Sequence, residues 1–342
     1  MTLQPRGGPY RQTNQSAGEI PSIVPDVPLS VVLLVVYILA GAAHMYLLIT
    51  NKKRGKKFLF NGMVFGLCNV RIITFCLRMA WAVHPTAIRL GIASSIFVYA
   101  GTILLYIANL FFTQRLIRAQ HPSFGWSKPI SLLFPGLIAI IVLTLFMIIV
   151  VVIQQFYTLN PNIHRIDRDF QLYAQTCYTI MAFLPIPMLL ISTAAGQLSS
   201  VKARRVHTPV DKFGQGRMTH KILLVLASSA ILTVGIGFRC GTTWRHPVAS
   251  HTATGALAPQ PWYYTKAAFY SFNFIIELIV VFMWLFARID NLFHVPNKAK
   301  GGYGQRAQSE KALAGSESDV EAAEADGDRR QAPVLHALGP SN

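Results

Sequence analysis

The chain has 342 residues, of which 52% are hydrophobic and only 13% are charged. A soluble domain carries roughly a quarter of charged residues, so the composition excludes an ordinary soluble protein and indicates a membrane protein. The net charge of +17 would suit a nucleic-acid-binding protein, but the distribution of the basic residues argues against that class.

Seven apolar segments are long enough to cross a membrane as helices. A helix needs about 20 residues to span roughly 30 Å of hydrocarbon. Such windows occur at residues 30–50, 58–82, 90–113, 129–153, 171–195, 221–239 and 263–287. We therefore predict an all-α membrane protein, a bundle of seven transmembrane helices within residues 30–290, between a polar tail (1–29) and a disordered tail (291–342).

The basic residues are distributed unequally between the two predicted sides of the membrane. The loops after predicted helices 1, 3, 5 and 7 hold 21 Lys and Arg residues, whereas the opposite side holds 8. Positive loops stay in the cytoplasm during insertion, so we predict an extracellular N-terminus and a cytoplasmic C-terminus, with the plasma membrane as the expected location. We expect anionic inner-leaflet lipids, not nucleic acid, as partners of these loops.

Both predicted tails carry candidate modification sites. Asn14 begins the sequon NQS in the outer tail, where it would be open to glycosylation. The C-terminal tail is rich in Gly, Ala and charge, a composition typical of disorder. Ser316 and Ser318 stand beside acidic residues there and are candidate phosphorylation sites, although a merely solvated tail has the same composition.

Polar residues recur at helical spacing in several predicted helices. The third helix has Ser95, Tyr99, Thr102, Tyr106, Asn109 and Thr113, the seventh has Tyr263, Lys266, Tyr270, Asn273 and Glu277, and the fifth has Gln171, Gln175 and Tyr178. Such stripes either hold neighbouring helices together or line an interior cavity. We expect a pocket, whose candidate lining residues are His44, Tyr99, Thr102, Tyr106, Asn109, Tyr270 and Asn273.

Two arginines interrupt the second predicted helix. At 1.5 Å per residue, Arg71 and Glu277 lie roughly 20 Å and 15 Å from the cytoplasmic ends of their helices. An unpaired charge at such depth is costly, so we predict an interior ion pair, either a brace or a switch, with Asn69 or Asn273 as a further partner. Arg78 would lie about 10 Å higher, and we predict it to be an interfacial anchor that reaches water or headgroups.

Two stretches of the second and third predicted helices are distinctive. NVRIITFCLRMAWAVHPT, from Asn69, and IFVYAGTILLYIANLFFTQRLIRAQHP, from Ile96, together with the basic loop after the fifth helix, resemble a fungal seven-helix membrane family of unknown function. Members of that family are often labelled class-C-like G-protein-coupled receptors. The resemblance implies the seven-helix fold, whereas the receptor label is an analogy from topology.

Motifs of better-known receptors are absent. The inner end of the third helix reads FFTQRLIRAQHP, with Arg115 but no acidic neighbour, and the seventh reads NFIIELIVVFMW without an NPxxY motif. An outer tail of 29 residues is too short for the ligand-binding domain of a class C receptor. Lys266 lies near the outer end of its helix, which disfavours a retinal protein.

Two functional hypotheses follow. The first is a G-protein-coupled-receptor-like receptor or sensor, with an interior pocket for an unknown small ligand and a possible cytoplasmic signalling partner. The second is a transporter or lipid exporter that uses the same polar interior as a pathway. We expect no enzyme, metal site or cofactor, because no nucleophile–base pair and no metal-ligand set occurs at midplane depth.

The predicted topology can be tested with epitope tags. An antibody should reach an N-terminal tag in intact cells but a C-terminal tag only after permeabilisation, because the basic loops remain cytoplasmic. Staining of the C-terminal tag in intact cells would contradict the assignment.

Overall fold

A computed structural model describes residues 7–11, 13–197, 213–252, 254, 256–295 and 303. These residues contain seven helices that are long and apolar enough to cross a membrane, and they form no β-strand beyond isolated bridges. The helices are α1 (Asp26–Lys53), α2 (Phe60–Val83), α3 (Ile88–Gln120), α4 (Lys128–Tyr157), α5 (Pro161–Ala195), α6 (Met218–Trp244) and α7 (Lys266–Phe286). The chain is therefore a multi-pass, all-helical membrane protein over its described residues.

The helices extend beyond the apolar windows. α5 begins at Pro161 instead of residue 171, because Pro161 suits the first helical position and the Asn160 side chain accepts a hydrogen bond from the Asn162 amide at 3.0 Å. α3 continues to Gln120 instead of residue 113. A hydropathy window finds the part of a helix that crosses hydrocarbon, whereas caps and polar turns determine where the helix ends.

Two of the spans are irregular. Pro185 lacks a backbone N–H, and α5 is interrupted at Leu184, between Pro161–Phe183 and Pro185–Ala195. α7 contains a π-helical turn at Ser271–Ile275, a feature that often marks functional sites. Within this turn the Phe274 carbonyl accepts a hydrogen bond from the Tyr37 hydroxyl at 2.9 Å, so the irregular backbone of α7 binds a side chain of α1.

The N-terminal segment lies across one end of the bundle, which we call the N-terminal face. Its amides bind the last turn of α4 and the loop after α6: Tyr10 donates to the Phe156 carbonyl at 2.7 Å and Gln15 to the Val248 carbonyl at 2.8 Å. This segment is therefore packed onto the transmembrane helices and does not behave as a separate tail.

Five aromatic side chains close the opposite end, the C-terminal face. The ring of Phe112 lies 4.8 Å from Phe60, 5.4 Å from Trp284 and 4.4 Å from Phe293, and Phe213 lies 6.2 Å from Phe293. All five are buried. We call Phe60, Phe112, Phe213, Trp284 and Phe293 the aromatic plug.

Polar contacts hold the chain around the plug. Arg115 donates to the Phe293 carbonyl, and Asn51 donates to Asp290 at 2.9 Å. Burial alone would raise the pKa of Asp290, but hydrogen bonds from Arg288 and Asn51 outweigh it and hold the pKa below its usual range. α1 is thereby fixed to the segment that follows α7.

The aromatic plug predicts that alanine substitution of two aromatic residues of α7 has very different effects on stability. Trp284→Ala should destabilise the protein by about 3–5 kcal/mol, because it leaves a cavity among buried rings. Phe286→Ala removes a side chain that is 79% exposed and should change stability by about 0.5 kcal/mol at most. Thermal unfolding of the purified variants in nanodiscs would measure both, and equal effects would contradict the proposed packing.

Candidate functional site

Arg71 of α2 and Glu277 of α7 form an ion pair inside the bundle. Arg71 Nε lies 2.6 Å from Glu277 Oε2, and Nη2 lies 2.5 Å from Oε1, so the guanidinium binds the carboxylate through two parallel hydrogen bonds. The side chains are 0% and 2% exposed. The fold thus brings together the two charges that the sequence analysis paired by depth.

The remaining N–H groups of Arg71 are also used. Nη1 donates to the carbonyls of Phe97 and Val98, both at 3.1 Å, and Nη2 donates to Thr102 Oγ1 at 2.9 Å. All five guanidinium N–H groups therefore have partners. Water cannot replace a missing hydrogen-bond partner in hydrocarbon. Because every N–H group is bonded within the protein, the free-energy cost of burying this arginine is reduced.

Glu277 joins four helices through the same cluster. Besides Arg71, its carboxylate accepts hydrogen bonds from the Thr102 hydroxyl and, at 3.3 Å, from Tyr37 of α1. We call Tyr37, Arg71, Thr102 and Glu277 the central network. It connects α1, α2, α3 and α7.

The asparagines predicted as further partners of the ion pair lie elsewhere. Asn273 donates to the Phe269 carbonyl of its own helix at 2.7 Å. Asn69 lines an apolar groove of about 480 Å³ between α1 and α2, together with Gly41, Tyr46 and other residues. A carbonyl pair on α3 occupies the positions near Arg71 instead, a contact that side-chain patterns do not reveal.

A glycine makes room for the guanidinium. A Cβ atom added to Gly101 would lie 2.7 Å from Arg71 Cζ, closer than a side chain can approach. Gly101 therefore lets Arg71 lie against the backbone of α3, where it reaches the carbonyls one turn before.

Arg78 belongs to a second buried network, near the N-terminal face. Its Nη2 lies 3.2 Å from Asp26 Oδ1 and donates to the Gly18 carbonyl at 3.2 Å, while Nε donates to the Tyr270 hydroxyl at 3.2 Å. Asp26 also pairs with Lys266 of α7. The prediction of Arg78 as an interfacial anchor is therefore corrected: the side chain is only 3% exposed, because α1 and the N-terminal segment cover it.

Asp26 was missed because the sequence analysis assigned it to the polar tail. α1 begins at this residue, four positions before the predicted window. Asp26 stands one helical turn before Ser30, whose hydroxyl lies 3.0 Å from that of Tyr270. Extending the helical register of the first apolar window backwards by one turn would have placed a carboxylate near Arg78.

Several predicted pocket residues instead join neighbouring helices. Asn109 accepts a hydrogen bond from Ser228 at 2.8 Å and donates to Ser229 of α6 at 3.2 Å. The ring nitrogens of His44 lie 3.4 Å from Asn61 Oδ1 and 3.3 Å from the Val281 carbonyl. Thr102, Tyr270 and Asn273 have the partners described above. For His44, Thr102, Asn109 and Tyr270 the alternative interpretation, adhesion between helices, accounts for the polar stripe, whereas Asn273 bonds within its own helix.

A different arrangement surrounds Tyr106. Among the described residues, the buried hydroxyls of Tyr106 and Tyr178 and the Oε1 atom of Gln175 have no hydrogen-bond partner. The two phenol rings lie 6.3 Å apart, and the Arg239 guanidinium lies 4.8 Å above the ring of Tyr99. We call Tyr99, Tyr106, Gln175, Tyr178 and Arg239 the central polar cluster; only Tyr99 and Tyr106 were named as pocket residues from the sequence.

The candidate modification sites lie apart from these networks. Asn14 is exposed on the N-terminal face, where its backbone forms an isolated bridge with Ala249. Ser316 and Ser318 are outside the described residues.

Comparison with protein-family models gives a match to part of the chain. Residues 199–294 match the model of a family described as a protein of unknown function (DUF3112). The matched part includes α6, α7 and Glu277 but covers less than a third of the chain and leaves out Arg71. No curated protein and no solved structure matches the chain.

The central network predicts strong coupling between its two charges. Arg71→Gln and Glu277→Gln should each destabilise the protein by about 3–5 kcal/mol, because each leaves an uncompensated buried group. The double variant should lose about 1–3 kcal/mol less free energy of unfolding than the sum of the losses of the two single variants. Unfolding of the purified proteins in nanodiscs would measure all three losses.

Arg288→Gln provides the matched control. The arginine side chain is 48% exposed, and Asn51 still donates to the buried Asp290 carboxylate in this variant, so the loss should be about 1 kcal/mol, well below that of the Arg71 variant. Additive effects of the Arg71 and Glu277 substitutions would contradict the coupling.

Proposed function

We propose that this protein is a membrane receptor or sensor that binds a small ligand in its interior without converting or transporting it. The observation that supports this function best is that the polar interior is closed toward the C-terminal face. Below Tyr106, Asn109 is bonded to two serines of α6, and the aromatic plug fills the space beyond. A ligand among the polar residues would have no onward path.

Access would come from the N-terminal face, which we propose to be extracellular at the plasma membrane. Arg239 lies five residues before the end of α6 at this face and is half-buried, as is Tyr99 beneath it. These two side chains separate the loops of the N-terminal face from the buried phenols. They are therefore suitable entrance residues.

The central network would couple the ligand to the helices. Tyr106 stands one helical turn after Thr102, whose hydroxyl contacts both Arg71 and Glu277, so a ligand beside that tyrosine would lie close to the ion pair. If two arrangements of the network differ in ligand affinity, binding shifts the population between them. The pair would then be a switch; if only one arrangement exists, it is a brace.

The C-terminal face would carry the response. The turn from Lys52 to Lys57 holds five basic residues and is exposed over most of its length. Such a surface would attract anionic inner-leaflet lipids or an acidic cytoplasmic partner. This proposal agrees with the charge asymmetry that predicts a cytoplasmic C-terminal face.

The transporter alternative requires a passage that opens at the C-terminal face, which substituted cysteines can detect. Ser95→Cys and Thr113→Cys stand on α3 on opposite sides of Tyr106, in a background where Cys68, Cys76, Cys177 and Cys240 are replaced by Ala. A membrane-impermeant methanethiosulfonate reagent should modify Ser95→Cys from the N-terminal face. Thr113→Cys should stay unmodified from the C-terminal face, because the plug covers it.

Leu59→Cys is the control for access to the C-terminal face. Leu59 is 74% exposed beside α2, so this variant should react rapidly in vesicles whose C-terminal face is outward. If Thr113→Cys reacts there at a rate similar to Leu59→Cys, the passage opens and the transporter hypothesis replaces the receptor.

A further inference from the structure

We infer that the central polar cluster binds a small organic anion that carries a carboxylate and an adjacent hydrogen-bond donor, a hydroxyl or an ammonium group. The inference rests on the proposed function, because it names the ligand class of the same interior site. Three features of the cluster point to this ligand: unpartnered polar atoms, a cation without a counter-ion among the described residues, and the donor and acceptor types of its side chains.

Three buried polar atoms on the neighbouring helices α3 and α5 have no protein partner within the described residues. Tyr106, Tyr178 and Gln175 are each about nine-tenths buried or more, yet their Oη and Oε1 atoms have no hydrogen bond within the described residues. Gln175 precedes Tyr178 by one turn of α5, and the ring of Tyr178 lies 6.3 Å from that of Tyr106 on α3. Buried polar atoms in native proteins nearly always have partners, so three neighbouring exceptions indicate a missing occupant.

The charge of the cluster favours an anion. Arg239 stacks on Tyr99 at 4.8 Å, and its guanidinium has no hydrogen bond or ion pair within the part of the chain that the structure describes. Tyr99 stands two helical turns before Tyr106 on α3, so this charge lies on the N-terminal-face side of the buried phenols. Glu277, the carboxylate of the adjoining central network, is already bound to Arg71. A cationic ligand would be repelled, and a neutral one would leave Arg239 uncompensated.

The chemical groups specify more than charge. A guanidinium binds a carboxylate through two parallel N–H groups, and two phenol hydroxyls can donate to the same oxygens. Gln175 Oε1 can only accept, so it needs an O–H or N–H group on the ligand. A carboxylate with a hydroxyl or ammonium on the next carbon satisfies every group in the cluster.

The other buried networks do not offer such a site. Every N–H of Arg71 is used by Glu277, Thr102 and α3 carbonyls, and Asp26 accepts from Arg78, Lys266 and Tyr270. The central polar cluster is therefore where a ligand would gain the most hydrogen bonds. Its position next to the central network also places the ligand beside the ion pair.

The test measures the thermal stability of the full chain in nanodiscs with four probes. L-lactate, a carboxylate with an adjacent hydroxyl, should raise the Tm saturably. Propionate, which lacks the hydroxyl, should bind about tenfold more weakly, the effect of one lost hydrogen bond. Lactamide, the neutral amide, should cause no shift, and inorganic phosphate should be weaker than lactate, which distinguishes a carboxylate from a general anion site.

Variants assign the effect to the cluster. Arg239→Gln should abolish the lactate-dependent shift, and Tyr106→Phe and Tyr178→Phe should each weaken it. Arg168→Gln is the matched control: this half-buried arginine is on α5 and donates to the Arg245 carbonyl, so its variant should retain the full shift. Comparison of shifts, not of absolute Tm values, separates ligand binding from any change in stability.

Three results would overturn the inference. The first is the absence of any shift with lactate up to about 100 mM, far above a millimolar Kd. The second is an equal shift with lactamide. The third is a lower Tm of Tyr106→Phe and Tyr178→Phe without ligand combined with no lactate effect, which would mean that ordered water alone occupies the cluster.

The two proposals fail separately. Lactate binding that requires Arg239, together with reaction of Thr113→Cys from the C-terminal face, would keep the ligand class but make the protein a transporter. If Thr113→Cys is protected but lactate does not bind, the receptor proposal with its closed interior stands and the proposed ligand class is wrong.

Discussion

A guanidinium inside hydrocarbon requires a partner for each of its five N–H groups, and the arrangement of α1, α2, α3 and α7 follows from how Arg71 meets this requirement. Glu277 supplies two acceptors, Thr102 one and the backbone of α3 two. The α3 carbonyls are accessible only because Gly101 has no side chain. Moving any of these helices by an ångström or two would break several hydrogen bonds together, so the pair specifies geometry more than it adds stability.

The charged contacts divide the bundle into two unequal parts. α1 and α2 are linked to α7 or the turn after it at three levels: Asp26 with Arg78 and Lys266, the central network, and Asn51 with Asp290. α5 has no ion pair among the described residues. It contacts α3 through Gln120 and Ser192 near the C-terminal face and, at mid-depth, through Tyr106 and Tyr178, whose hydroxyls have no partner within the described residues. A ligand that supplied those partners would strengthen the weaker part of the bundle. Rigid helices on one side and an incomplete polar contact on the other are suited to a protein that changes when a ligand binds.

The sequence predicted what depends on hydrophobic length and approximate depth. Seven apolar windows gave seven helices, and a match of depths selected Arg71 and Glu277 as partners from opposite ends of the chain. It could not predict the carbonyls of Phe97 and Val98 as partners, since backbone atoms carry no sequence signal. Arg78 was assigned incorrectly because hydropathy ends a helix where polarity begins, whereas α1 continues through Asp26. Tyr178 and Arg239 become site residues only through the packing of α5 and α6 on α3.

The packing of Gly18 shows that the folded membrane domain begins before the first apolar window. This glycine has φ of +79°, the ring of Phe269 occupies the space where its Cβ would stand, and its carbonyl binds Arg78. By composition residues 13–25 are part of a polar tail, but by contact they belong to the membrane domain. A chain shortened to begin at the first apolar window would lose Gly18 and Asp26 together and would bury Arg78 with neither its counter-ion nor its backbone acceptor. The minimal autonomous domain therefore begins well before the first hydrophobic residue of α1.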